Sequence, residues 1–210
     1  MAIIQRKSMK DQVYELIRQR IYAQHYLPGE EIKILSLSNE LGVSNTPIRE
    51  ALNVLAAEGL LSTSMNNKFR VVELNEEMNV ELNETIKVLL TGGYLTAHKD
   101  GRDAGLEGML KERFRRQKEI LKTGDDHEYL LSTISFDKSF VEITGNKKLI
   151  KMFDDNSYLF YLFIRHTIWK EEGNREKALS EHEQLIKAVS ANDPKLVTEL
   201  LEKHYDKPFD

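Results

Sequence analysis

The chain has 210 residues, 40% hydrophobic and 30% charged, with a net charge of −4 and no cysteine. This is enough for one large domain or two small ones and too apolar for a disordered chain, and the absence of thiols excludes disulfide frameworks, thiolate zinc fingers, iron–sulfur clusters and cysteine nucleophiles. No window approaches the roughly 18 uncharged apolar residues of a membrane span, and the first ten residues lack a signal-peptide core, so a soluble cytoplasmic protein is expected. The acidity is uneven: residues 1–75 hold 9 Lys and Arg against 8 Asp and Glu, whereas the remainder holds 21 against 26. The first part is therefore free to face phosphate.

In chain order, Val13, Leu16, Ile17 and Ile21 recur at helical spacing and predict a helix over about 8–24, ended by Tyr26-Leu27-Pro28-Gly29. A short helix follows from Leu35 to Leu41, with Gly42 as its stop. Ser44-Asn45-Thr46-Pro47 is a start signal, with a capping side chain and a proline in the first turn where its missing N–H costs nothing. Ile48, Ala51, Leu52, Leu55 and Ala56 carry that third helix to Glu58-Gly59. Residues 60–63 and 69–72, apolar and β-branched, flank the polar turn Met65-Asn66-Asn67-Lys68 and predict a two-stranded hairpin.

From Asn75 onward strand signals disappear. Helices are predicted near 76–98, 103–122, 126–143, 147–170, 175–190 and 194–205, separated by short Gly-, Asn- and Asp-bearing breaks that favour an antiparallel bundle. The expected fold is mainly α: a winged helix-turn-helix over 1–75 and an all-helical domain over 76–210.

Three helices and a hairpin, with a tight turn between the second and third helices, make a module that offers its third helix to the DNA major groove. The residues at that helix's N-terminus, Ser44, Asn45, Thr46 and Arg49, all hydrogen-bond; Arg49 suits phosphate or guanine and Asn45 suits adenine. Lys68 and Arg70 on the hairpin are placed to reach the backbone alongside. The plainer reading is that Ser44 caps a helix and Arg49 pairs with Glu50 or Glu40 on the surface.

Leu27-Pro28-Gly29, the run Leu41-Gly42-Val43-Ser44-Asn45-Thr46-Pro47-Ile48-Arg49-Glu50-Ala51-Leu52, and Glu58-Gly59-Leu60-Leu61 closely resemble the DNA-binding domain of GntR-family bacterial transcription regulators, over residues 8–73. Two departures stand out. Asn45 takes a position where the family usually has arginine, and Asn66-Asn67 replaces its glycine-bearing wing tip. The remainder resembles the FCD domain of the FadR-type branch, through Asp137-Lys138-Ser139-Phe140-Val141, Gly145-Asn146-Lys147-Lys148-Leu149, Glu181-His182 and Lys203-His204.

In many members of that branch an aspartate and three histidines hold a divalent metal beside a small carboxylate. The resemblance places Asp137, His182 and His204 on three of these positions, with Val141 on the fourth. A carboxylate and two imidazoles form a ligand set for Zn²⁺, Ni²⁺ or Mn²⁺, and the loss of one imidazole is expected to weaken or abolish binding. The family's pocket-facing arginine and glutamate correspond to Ile86 and Leu90, which removes a bidentate carboxylate clamp. Tyr158, Phe160, Tyr161 and Phe163 then make an apolar effector conceivable, although an aromatic cluster on one helix also reads as plain core.

The resemblance implies a homodimeric repressor of operator DNA, controlled by a carboxylate or apolar effector. Two other readings remain: a constitutive DNA-binding regulator whose pocket has degenerated, and a metal-dependent helical enzyme using His182, Asp137 and Glu181. The enzyme reading lacks a Gly-rich phosphate loop and a HExxH helix.

Overall fold

A computed structural model of the chain describes residues 7–64, 66, 68–168 and 173–206. The chain folds as two compact units, Met1–Leu74 and Asn75–Asp210.

In the first unit α1 (Met9–Tyr22) is opened by a capping box in which the Asp11 N–H donates to Ser8 Oγ and the Ser8 N–H donates back to the Asp11 carboxylate. Val13, Ile17 and Ile21 form its buried stripe, facing Ile48, Ala51, Leu52 and Leu55 of α3 (Asn45–Ala57). Between them α2 (Ile34–Leu41) stops at Gly42, whose φ of 62° is the left-handed conformation that glycine adopts without strain. Ser38 Oγ donates to the Val43 carbonyl at 2.8 Å and fixes the turn into α3.

The predicted hairpin is present as β2 (Leu61–Thr63) and β3 (Phe69–Val71). A third strand, β1 (Glu31–Ile32), pairs antiparallel with β3, giving the order β1-β3-β2 with Glu31 opposite Arg70 and Ile32 opposite Phe69. Two residues are too few to carry an alternating pattern, so periodicity could not reveal β1. Met65 and Asn67 of the expected wing tip lie outside the described residues.

The second unit, among the described residues, is helical: α4 (Glu76–Lys99), α5 (Leu106–Thr123), α6 (Asp126–Glu142), α7 (Lys147–Ile168), α8 (Asn174–Ser190) and α9 (Pro194–Tyr205), with one 3-10 turn at Asp103–Gly105. Residues 169 and 170, where the sequence predicts the end of α7, lie outside the described residues. Asn75, Asp125 and Asp193 each accept a hydrogen bond from the backbone N–H three residues on, capping α4, α6 and α9. The helices pack in a ring, α4-α9-α8-α5-α6-α7 and back to α4, and α4 also crosses to α6.

At that crossing Gly93 is required by space: a Cβ there would lie 2.6 Å from the Phe140 carbonyl oxygen and 3.3 Å from Val141 Cα. The close approach presses α4 onto the stretch of α6 that carries Asp137 and Val141. Ile86, Leu90 and Val141 are fully buried there, so the three positions that depart from the family's polar pattern lie in the core. Phe160, Tyr161 and Phe163 are buried and Tyr158 is half-buried, and Phe160 lies 5.8 Å, ring to ring, from Tyr205. No helix among the described residues is long and apolar enough to cross a membrane.

Candidate functional site

Two places in the molecule gather chemistry-bearing side chains: one on the surface of the first unit, the other inside the second. At the first, Ser44 occupies the N-cap position of α3 in extended conformation (φ −63°, ψ 160°), yet its hydroxyl makes no capping hydrogen bond. Asn45, Thr46 and Arg49 follow, all exposed. Glu40, one of the surface partners considered for Arg49, is instead held by Arg20 across α1 and α2. Among the described residues Arg49 makes no ion pair. The start of α3 thus presents a hydroxyl, an amide, a second hydroxyl and a guanidinium around backbone N–H groups at the positive end of the helix dipole.

The wing cations are arranged differently. Lys68 Nζ lies 3.0 Å and Arg70 Nη2 3.3 Å from the same atom, Glu31 Oε2, and Arg70 Nη1 donates to the Gly29 carbonyl at 2.9 Å. Both side chains remain about half exposed. Lys68, foremost, holds the Glu31 carboxyl below its ordinary range.

In the second unit Asp137 of α6, His182 of α8 and His204 of α9 converge, each offering a ligand atom within 4.8 Å of the others. Asp137 and His182 are fully buried and His204 is 9% exposed. The His182 ring stacks on Phe136, centroids 3.9 Å apart and 9° from parallel. Its Nδ1 lies 2.8 Å from Gln117 Oε1, Gln117 Nε2 donates to Thr133 Oγ1 at 2.7 Å, and Thr133 donates to the Tyr129 carbonyl.

This chain of donors determines a tautomer. Thr133 spends its proton on a carbonyl, so it accepts from the Gln117 amide; Gln117 then turns its oxygen to His182, whose Nδ1 must carry the hydrogen. Its Nε2 faces Asp137 Oδ1 at 3.8 Å. His204 is held alike, with Nδ1 2.6 Å from Glu181 Oε2. In both imidazoles an oxygen acceptor fixes Nδ1 and turns Nε2 into the ligating nitrogen, the outer-shell arrangement typical of metal-binding histidines. A carboxylate and two imidazoles thus converge on one buried centre, the donor set of a divalent-metal site. The residues present therefore fit a divalent metal.

Around the cluster, Tyr205 is buried, and burial, with the Asp137 carboxylate second, pushes its phenol well above the ordinary range. A cavity of about 200 Å³ opens beside His204 between α8 and α9, with Lys177, Glu181 and Lys203 in its wall.

Comparison with known proteins identifies the two units. The family model for bacterial regulatory proteins of the gntR family matches residues 9–71, and that for the FCD domain matches residues 98–207, more than half of the chain. The chain belongs to the GntR family and carries an FCD domain. It is 28% identical over 205 residues, covering 95% of this chain and 86% of the relative, to the probable D-xylose utilization operon transcriptional repressor of Paenarthrobacter nicotinovorans. It is 24% identical, covering 90% and 79%, to the gluconate operon transcriptional repressor of Bacillus licheniformis. Among solved structures, E. coli McbR/YncC shares the fold, with a TM-score of 0.73 at 19% identity over 95% of this chain and 94% of that one. The regulator is thus a DNA-binding transcription factor with an effector-binding domain, and not an enzyme.

Of the residues singled out in the sequence, Ser44, Asn45, Thr46 and Arg49 share one exposed helix start, Lys68 and Arg70 share one carboxylate, and Asp137, His182 and His204 form one cluster. Gln117 and Glu181 escape sequence reasoning as second-layer partners. Gln117 sits in a strongly charged helix where a glutamine reads as solvent-facing. Glu181 enters the sequence reading as part of the Glu181-His182 motif and as a catalytic group, not as a partner of His204, and its signal is its place next to His182.

Proposed function

We propose that the regulator binds a palindromic operator as a homodimer, reading bases with Asn45 and Arg49 and holding phosphates with Ser44, Thr46, Lys68 and Arg70. Asp137, His182 and His204 hold a divalent cation, and a small effector binds beside it and changes operator affinity. When bound, the cation would be held by the Asp137 carboxylate and the two oriented imidazoles and would offer a positive centre to an effector oxygen. The observation that carries this reading is the convergence, inside the helical unit, of one carboxylate and two imidazoles from three helices with ligand atoms within 4.8 Å of one another, each imidazole being oriented through Nδ1 by an oxygen partner.

Val141 offers no donor, so one coordination position falls to water or effector. Lys177 and Lys203 at the cavity beside His204 suit an anionic effector, which fits a carboxylate better than an apolar molecule. Two relatives are named for D-xylose and gluconate operons, and a hydroxylated or carboxylated small molecule is consistent with that company. One recognition helix covers a half-site, which is the argument for a dimer; nothing in this mechanism requires a membrane, and its setting is the cytoplasm.

The test is operator binding by the full-length protein, using a duplex selected from a random pool, with zinc present or chelated and with sedimentation of the same samples. The expected result is a dimer whose operator affinity changes with zinc and with small carboxylates. A monomer at micromolar concentration, or an affinity indifferent to zinc and to every carboxylate tried, contradicts it; the second result is the one a constitutive regulator gives.

A further inference from the structure

The wing presents an arrangement that its assignment to DNA backbone does not explain. Its two cations, each about half exposed, converge on one oxygen of Glu31. The sheet fixes this geometry. Glu31 is the cross-strand partner of Arg70, while the adjoining pair, Ile32 and Phe69, is buried on the inner face. Because side chains alternate along a strand, the pair that buries Ile32 and Phe69 turns Glu31 and Arg70 outward together. Arg70 is further oriented by its bond to the Gly29 carbonyl.

A carboxylate oxygen that accepts from a lysine ammonium and from one guanidinium nitrogen offers what a DNA phosphate oxygen offers to the same donors. We propose that Glu31 is a built-in phosphate mimic: it occupies the phosphate position of the wing, must be displaced when DNA binds, and so lowers the regulator's affinity for DNA backbone. This rests on the reading of Lys68 and Arg70 as backbone contacts.

Two consequences follow from polyelectrolyte behaviour. Cations already neutralised by Glu31 contribute less to DNA affinity, and they contribute less to its salt dependence, since each phosphate newly neutralised adds about 0.9 to the slope of log K against log salt. Non-specific binding, which is nearly all backbone contact, is reduced most in proportion. Glu31 thereby widens the margin between operator and bulk DNA. The ion pairs are at the surface, where such contacts are weak enough for DNA to exchange them.

The experiment uses full-length protein and a mixed-sequence 30-base-pair duplex, followed by fluorescence anisotropy over a salt series. Glu31→Gln keeps the side chain's size and removes its charge, and Glu31→Ala removes the acceptor. Both are expected to bind the duplex roughly threefold to tenfold more tightly at low salt, with a slope steeper by about one. Lys68→Ala and Arg70→Ala are expected to weaken binding more in the Glu31→Gln background than in the natural chain. If those lysine and arginine changes weaken binding while Glu31→Gln leaves affinity and slope unchanged, the mimic is overturned and the wing assignment stands. If neither change alters binding in either background, the wing assignment fails and the mimic falls with it.

Discussion

The two units place their chemistry in opposite ways. In the first, the groups assigned to DNA are on the surface, in two short runs, 44–49 and 68–70, and none of the α3 groups is part of the core. In the second, Asp137, His182 and His204 come from three helices, and the first two are as buried as the leucines around them. A surface site of the first kind is separable from stability, because its side chains can be removed without leaving a cavity or an unsatisfied group. A buried polar site is not, because each member satisfies another and truncation leaves a donor or acceptor stranded in low dielectric.

That contrast is broken or sharpened most strongly at Gly93. Gly93→Ala forces a methyl group to 2.6 Å from the Phe140 carbonyl oxygen, and the required parting of α4 from α6 is expected to cost roughly 3 kcal/mol of stability. Thermal unfolding followed by circular dichroism checks it, and because α6 carries Asp137, zinc uptake should fall in the same variant. Next comes Gln117→Leu, which removes the acceptor for His182 Nδ1 and the donor to Thr133. Zinc affinity is expected to fall by about one to two powers of ten, together with a lower melting temperature, since the Gln117 partners are left buried and unsatisfied.

Arg49→Ala is the counterpart in the first unit. Affinity for a selected operator should fall by roughly tenfold to a hundredfold at fixed salt with melting unchanged, because the guanidinium is exposed and makes no ion pair among the described residues. A large fall in melting temperature would erase the contrast. The smallest effect is at Gly92, where a Cβ meets nothing within 4 Å. Gly92→Ala is expected to stabilise the chain by about 0.5–1 kcal/mol, through the cost that glycine carries in a helix interior, and one residue along α4 then separates a gain from a loss.

The same contrast governs what the sequence discloses. Gly42, Ser44 and Pro47 are local signals for local geometry, and the recognition helix can be read from them together with the apolar stripe Ile48 to Leu55. Nothing local links residues 137, 182 and 204; their spacing carries no periodicity, and only a family resemblance sets them side by side. Gln117 and Glu181 are beyond reach for a related reason, since an isolated polar residue in a charged helix looks identical whether it faces water or a buried imidazole. The pairing of Glu31 with Arg70 depends on β1, a strand of two residues. The plainer reading, in which Arg49 pairs with Glu50 or Glu40, finds no such pair among the described residues, where Glu40 is held by Arg20 instead.

The central claim, that Asp137, His182 and His204 form a working cation site despite Val141, is tested most directly by calorimetric titration of zinc. The samples are the full-length chain, His182→Ala and Val141→His, with the melting temperature of each recorded. Residues 137 and 141 are one turn apart on the same face of α6, so a histidine at 141 restores a fourth donor beside Asp137. The predicted result is zinc binding by the natural chain, tighter binding by Val141→His and loss of binding by His182→Ala. Equal heats from all three folded proteins would contradict it, leaving His182 and His204 as core histidines held only by Gln117 and Glu181.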